Sequence, residues 1–300
     1  MKVVVTGASG FVGREAIAPL LEIGATVHCL GRTRGDLPSA VEFHAVDLVD
    51  GDSEPLLREI APSHLLHMAW YAEPGKFWQA PENLDWVAAS LRLTRAFAAA
   101  GGARAVFAGS CAEYDWSHDH LDEQTTPLAP ASLYGQAKAC LFQLVSRAAP
   151  VLGLSVGWGR IFFPYGPYEH PARLTATALD AAIERRPAEF TAGTQVREFI
   201  HVDDVAGALV ALLDSELEGA VNIAAGEPVP VRTLVETVAR LGSAADCYRF
   251  GSKPLQPGEP ARMTAATDRL RRELGYAPRF SLADGLADAL ERRRFRKERS

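Results

Sequence analysis

Val5-Thr6-Gly7-Ala8-Ser9-Gly10-Phe11-Val12-Gly13 is the stretch whose reading decides the fold. It begins in an apolar, β-branched run, Lys2 to Thr6, that predicts a buried strand, and it opens a segment with helical spacing. Gly7 permits the tight turn, Gly10 lets the backbone approach a bound group, and Gly13 allows the helix to pack closely on its strand. The helix N-terminus then points its free N–H groups at an anion. In this strand–turn–helix context the spacing predicts a site for a dinucleotide pyrophosphate, built from Gly7, Ser9, Gly10, Phe11, Val12 and Gly13.

Working outward, short apolar runs recur at Thr26 to Leu30, Val41 to Val46, His64 to Ala69, Ala105 to Gly109 and Val156 to Phe163, each predicting a buried strand. Stretches such as Leu84, Val87, Ala88, Leu91 and Ala98 place apolar groups on one helical face between them. Strand and helix in alternation predict an α/β fold, a doubly wound parallel Rossmann sheet whose ligands sit at the carboxyl ends of its strands. Residues 1–164 are expected to form the dinucleotide-binding Rossmann domain, with 199–225 returning to it. Residues 165–300, looser and richer in Pro and Gly, including the segment Pro254 to Pro260, are expected to form mainly a smaller, irregular C-terminal substrate lobe. The basic run Arg292 to Lys297 reads as a solvated helix end.

The 300 residues are 48% hydrophobic and 23% charged with a net charge of −6, which excludes a disordered chain and argues against a nucleic-acid partner. No apolar run reaches the ~20 residues of a membrane span, and the N-terminus reads straight into the glycine turn. Cys29, Cys111, Cys140 and Cys247 form no C-x-x-C pair, so the expected setting is a reduced cytoplasm. No metal site is expected either: Ser117-His118-Asp119-His120-Leu121-Asp122-Glu123 has ligand-type residues without zinc spacing and reads as a polar loop.

After the second strand the chain runs Leu30-Gly31-Arg32-Thr33-Arg34. Where NAD-binding sheets carry a carboxylate for the ribose, none stands here, and Arg32 with Arg34 offers guanidinium groups to a 2′-phosphate. NADP(H) is therefore expected over NAD(H), with Asp47 and Leu48 beside the adenine and Ala69 at the fourth strand's end.

Tyr134 and Lys138 lie four residues apart on one helical face, and Ser110 ends a predicted strand at the same sheet edge. A phenol beside a cation is drawn toward the phenolate and can shuttle a proton near neutral pH.

With these motifs together the chain resembles the extended short-chain dehydrogenases/reductases, the NAD(P)-dependent nucleotide-sugar epimerases, dehydratases and ketoreductases. Arg160 with Tyr165-Gly166-Pro167, the run Arg197 to Val205, Asn222-Ile223-Ala224 with Gly226-Glu227, and Leu274-Gly275-Tyr276 carry the resemblance along nearly the whole chain. It implies that Tyr134 is the general acid or base, that Lys138 lowers its pKa and holds the nicotinamide ribose, and that Ser110 bonds the reacting oxygen. Arg197 matches the arginine that meets a substrate diphosphate; Cys111 and Phe163 fall at substrate-facing positions.

Departures from the pattern narrow the reaction. Cys111 and Ala112 stand where 4,6-dehydratases carry an Asp-Glu pair, which disfavours dehydration. Phe163-Pro164 and Ser90 replace residues that are often Asn. The aromatic loop Trp70 to Trp78 is equally suited to stacking on a ring and to core packing. An arginine-lined ribose site favours an NADPH-dependent ketoreductase acting on a sugar nucleotide, such as a 4-keto-6-deoxy sugar, with the proton from Tyr134. An NAD-dependent nucleotide-sugar 4-epimerase is the alternative, and a cofactor-holding sensor or structural protein is the non-enzyme one. The resemblance leaves open a homodimer through 84–97 and 137–146.

Overall fold

The structure is a computed structural model and describes residues 1–255 and 258–299. Gln256 and Pro257, within the Pro-rich segment 254–260, and Ser300 lie outside the described residues. In chain order the strands are β1 (Lys2–Thr6), β2 (Thr26–Gly31), β3 (Glu42–Ala45), β4 (His64–His67), β5 (Arg104–Ser110), β6 (His120–Leu121), β7 (Ser155–Ile161), β8 (Phe163–Tyr165), β9 (Ala188–Phe190), β10 (Val196–Arg197), β11 (Phe199–His201), β12 (Gly219–Ile223), β13 (Val229–Pro230), β14 (Tyr248–Phe250) and β15 (Thr264–Ala265). The α-helices are α1 (Gly13–Glu22), α2 (Glu54–Ile60), α3 (Glu82–Ala99), α4 (Leu133–Leu152), α5 (Leu174–Glu184), α6 (Val202–Leu213), α7 (Val231–Leu241) and α8 (Leu282–Glu298).

Seven strands form one parallel sheet in the order β12-β7-β5-β4-β1-β2-β3. Each buried strand splits its apolar residues between two cores, as the two-residue period requires. Val3 and Val5 face α1 and α6 with Ile17, Leu20, Val205 and Leu209, whereas Val4, Leu65 and Phe107 face α3 and α4 with Leu93, Phe97, Leu141 and Val145. Chain order reverses between β1 and β4, which opens a crevice at their carboxyl ends. A third core joins α5, α7 and α8 through Leu179, Leu234, Val238, Leu286 and Leu290. Among the described residues no helix is long and apolar enough to cross a membrane.

The expectation of a solvated basic tail is corrected. Arg293 is buried and grips Asp180 of α5 with two nitrogens, each at 2.7 Å, while donating to the Pro167 and Glu169 carbonyls. Arg292 bonds Glu15 of α1 and Asp203 of α6, and Lys297 bonds Asp180. Charge counting on the sequence missed this because the acidic partners come from three other helices. The loop 117–123 is likewise structural: Asp122 accepts from the Gln124 and Thr125 amides, and Glu123 from the Asn222 amide.

Candidate active site

Gly7 has φ +75°, and a Cβ there would lie 2.7 Å from the Ala69 amide nitrogen. A Cβ on Gly13 would stand 2.1 Å from the Gly7 carbonyl oxygen, so only glycine lets α1 begin directly against the turn. The turn forms one wall of a cleft of about 1130 Å³. Gly7, Ser9, Gly10, Phe11, Val12 and Gly13 line it together with Arg32, Asp47, Leu48 and Ala69, and Ser110, Cys111, Tyr134, Lys138, Phe163 and Arg197 line its continuation. Arg34 stands outside that wall, its guanidinium donating to the Pro38 carbonyl at 2.9 Å. The tight glycine cradle at a helix N-terminus fits a dinucleotide diphosphate, with Arg32 and Asp47 toward one end and Tyr134 and Lys138 toward the other.

Ser110 closes β5, and Ser132 caps α4 by accepting from the Gly135 amide at 3.1 Å. That cap starts the helix one residue before Tyr134 and puts Lys138 a turn further on. A Cβ on Gly135 would lie 2.2 Å from the Ala112 carbonyl oxygen, so this glycine seats α4 against the turn after β5. Tyr134 thereby joins Ser110 on the wall of the cleft.

A buried polar network fixes the Ser110 turn from behind. Glu113, fully buried, accepts from the Ser110 amide at 2.8 Å, from Trp158 Nε1 at 2.9 Å and from Arg160 Nε at 2.8 Å. Arg160 also donates to the Tyr114 hydroxyl, which in turn donates to Asn222 Oδ1 at 2.7 Å. Sequence reading singled out Arg160 but missed Glu113. The serine-to-glutamate spacing of a capping box, present in Ser110 and Glu113, is the signal that would have found it.

Aromatic rings collar the phenol. Phe77, Trp78 and Trp70 meet the Tyr134 ring edge-on with centroids at 4.9, 5.8 and 6.5 Å. Withdrawal from water pushes the phenol up to about 12, against the lowering influence of Ser110 and of the charge of Arg173. Lys138, buried, donates to the Ala108 carbonyl at 2.8 Å and stacks its ammonium 3.8 Å over the Trp70 ring. Burial brings it down to about 7, with Glu113 opposing. Desolvation is the largest influence on both groups, and Lys138 is engaged by Ala108 and Trp70.

Arg197 is buried, donating to the Pro260 and Val196 carbonyls and to Glu259 Oε1 at 2.9 Å, with its guanidinium 5.5 Å from the Phe163 ring centroid. An anion in the cleft would compete with Glu259 for it. Glu259 and Arg173, also on the wall, escaped the sequence reading, because Glu259 stands 62 positions from its partner. Ser90 does not face the cleft: its hydroxyl lies 2.8 Å from His67 Nε2, and His67 Nδ1 lies 2.7 Å from Thr6 Oγ1. Burial holds that imidazole down to about 3, a neutral strut between β1, β4 and α3.

Residues 3–224 match the family model described as NAD dependent epimerase/dehydratase family. The chain belongs to that family. It is an enzyme of the extended short-chain dehydrogenase/reductase type. It is 27% identical to the UDP-glucose 4-epimerase of Corynebacterium glutamicum, covering 93% of this chain and 91% of that protein. The dTDP-glucose 4,6-dehydratase of Streptomyces niveus is 25% identical, over 97% of this chain and 92% of that one. Among solved structures, MoeE5 in complex with UDP-glucuronic acid and NAD superposes with a TM-score of 0.83 at 30% identity, over 99% of this chain and 100% of that one. The Thermus thermophilus UDP-glucose 4-epimerase complex with NAD gives 0.84 at 26% identity, over 98% and 99%.

Proposed function

We propose that this enzyme is a nucleotide-sugar 4-epimerase that holds NAD in the cleft and acts at C4 of a UDP-hexose. The observation that carries this reading is the convergence of Ser110, Tyr134 and Lys138 on one cleft with the glycine cradle, in a chain similar over nine-tenths of its length to UDP-glucose 4-epimerases. The nicotinamide supplies a reversible hydride acceptor. In its phenolate form, which the positive charge of a bound oxidised nicotinamide would favour, Tyr134 takes the proton of the C4 hydroxyl and later returns it, while Ser110 holds that oxygen. Both residues stand on rigid elements, the start of α4 and the end of β5, so the oxygen they share is positioned before reaction. The aromatic collar keeps water from the keto intermediate. Arg197, released from Glu259, takes the substrate diphosphate. Cys111 and Phe163 belong to the wall beside the sugar, and Gly7 to Gly13, Asp47, Leu48 and Ala69 to the cofactor.

A second reading rests on Arg32, which lines the cleft at the end of β2 where no carboxylate opposes a 2′-phosphate. It makes the enzyme an NADPH-dependent ketoreductase of a 4-keto-6-deoxy sugar nucleotide. A homodimer would use the outer faces of α3 and α4, where Leu84 and Leu144 are exposed.

Incubation with UDP-glucose, UDP-N-acetylglucosamine and UDP-glucuronic acid, with the products resolved by chromatography, tests the proposal. A C4 epimer of one of them, formed without net cofactor consumption, is expected. No epimer together with stoichiometric NADPH oxidation on a 4-keto sugar nucleotide would replace it with the second reading.

A further inference from the structure

At the far edge of the sheet, away from the cleft, three ligand-type side chains meet on one face of β2 and β3. His28 and Glu42 stand directly opposite in the parallel register, and His44 lies two residues beyond Glu42, so all three project the same way. Phe43, between them, projects to the other face and lines the cleft. His28 Nδ1 lies 3.1 Å from His44 Nε2 and 3.5 Å from Glu42 Oε2, and the two imidazoles stack with centroids 5.3 Å apart. One ligand atom from each residue falls within 4.8 Å of the others.

We propose that His28, Glu42 and His44 bind a single zinc-class divalent cation that clips the edge strand β3 to β2. Zinc bonds of about 2.0–2.1 Å in a tetrahedron set neighbouring donor atoms about 3.3 Å apart, and the two separations from His28 Nδ1 bracket that value. Two imidazoles and one carboxylate form a common zinc donor set, and the exposure of Glu42 leaves the fourth position to water. Between the two rings, one nitrogen now hydrogen-bonds the other. On binding, that N–H moves to an outer ring nitrogen, both inner lone pairs turn to the metal, and no redox step or leaving group is involved. Lys2, the nearby cation that acts on His28, has its ammonium tied to the Ile60 carbonyl at 2.6 Å. A second cluster, His201, Asp203 and Asp288, differs in kind: Arg292 already donates to both of its carboxylates.

The clip lies three residues before Gly31, and the chain segments leaving β2 and β3 carry Arg32 and Asp47 into the cleft. It would fix the spacing of those segments without touching the reacting groups.

Cobalt(II) is the probe, read by its visible absorption against the metal-free protein and displaced by zinc. One equivalent is expected to bind the full chain with tetrahedral-type absorption. His44→Ala should abolish the signal and Glu42→Gln should weaken affinity at least about tenfold, whereas His118→Ala, in the exposed loop, should leave it unchanged. Zinc should raise the melting temperature of the parent chain and not of His44→Ala. No cobalt absorption in the parent, or a signal that survives His44→Ala, overturns the proposal. Because His44 is half-exposed, its replacement spares the core, and unchanged circular dichroism of the variant verifies that.

Discussion

Tyr134 carries the chemistry, and its surroundings make it a weak acid in the free protein. With the phenol held up to about 12, Tyr134→Phe should lower kcat by about 10²–10⁴-fold while cofactor affinity, measured by fluorescence titration, stays within a few-fold. Undiminished turnover would remove Tyr134 from the mechanism. Lys138 gives a pH signature of its own. Its folded pKa of about 7 lies below the ordinary value near 10.5, so between these values the unfolded chain holds a proton that the folded one lacks. This group's contribution to stability therefore rises with pH across that window and is flat below pH 7. Relative to Lys138→Met, the parent chain should lose melting temperature steadily from pH 10 to pH 7 and run parallel below; a constant difference would show that the amine is charged throughout.

Two close approaches decide the geometry at the scale of elements: α4 on the turn after β5, and that turn on the Glu113–Arg160 pair. Gly135→Ala would drive a methyl into the Ala112 carbonyl, 2.2 Å away, and shift Tyr134 from Ser110. Loss of about 10²-fold in kcat with little change in cofactor affinity is expected, since displacements near 1 Å cost that much. Glu113→Ala leaves Arg160 buried without its counter-charge and should destabilise the fold by about 3–5 kcal/mol in urea titrations. A change under about 1 kcal/mol would mean that the guanidinium finds another partner. Elements with local signatures were legible in the sequence. The strand read at Lys2 to Thr6 is β1, and the helical face read over Leu84 to Ala98 falls within α3. The run Val156 to Phe163 is divided: β7 ends at Ile161, and Phe163 begins β8, which leaves the large sheet to pair with β11. Glu259 on Arg197 and the rings of Phe77 and Trp78 on Tyr134 were illegible, because contacts across such separations leave no periodicity to read.

At the scale of the whole molecule, the cofactor site joins segments that only the fold brings together: the glycine turn, the ends of β2 and β5, and the start of α4. A ligand that binds this assembly and not the unfolded chain stabilises all of it through mass action. At one hundred times its Kd the gain is about 2.7 kcal/mol, or about 4 °C in melting temperature for a chain of this length. The epimerase reading predicts that NAD shifts the melting point more than NADP does at equal concentration, and that Arg32→Ala leaves the NAD shift in place. Arg32 is exposed, and among the described residues no hydrogen bond or ion pair holds its guanidinium, so its removal should not itself disturb the fold. The comparison therefore isolates the ribose end of the cleft. A larger shift with NADP, lost in Arg32→Ala, would mean that the guanidinium reads a 2′-phosphate, and the balance would pass to net reduction of a keto sugar.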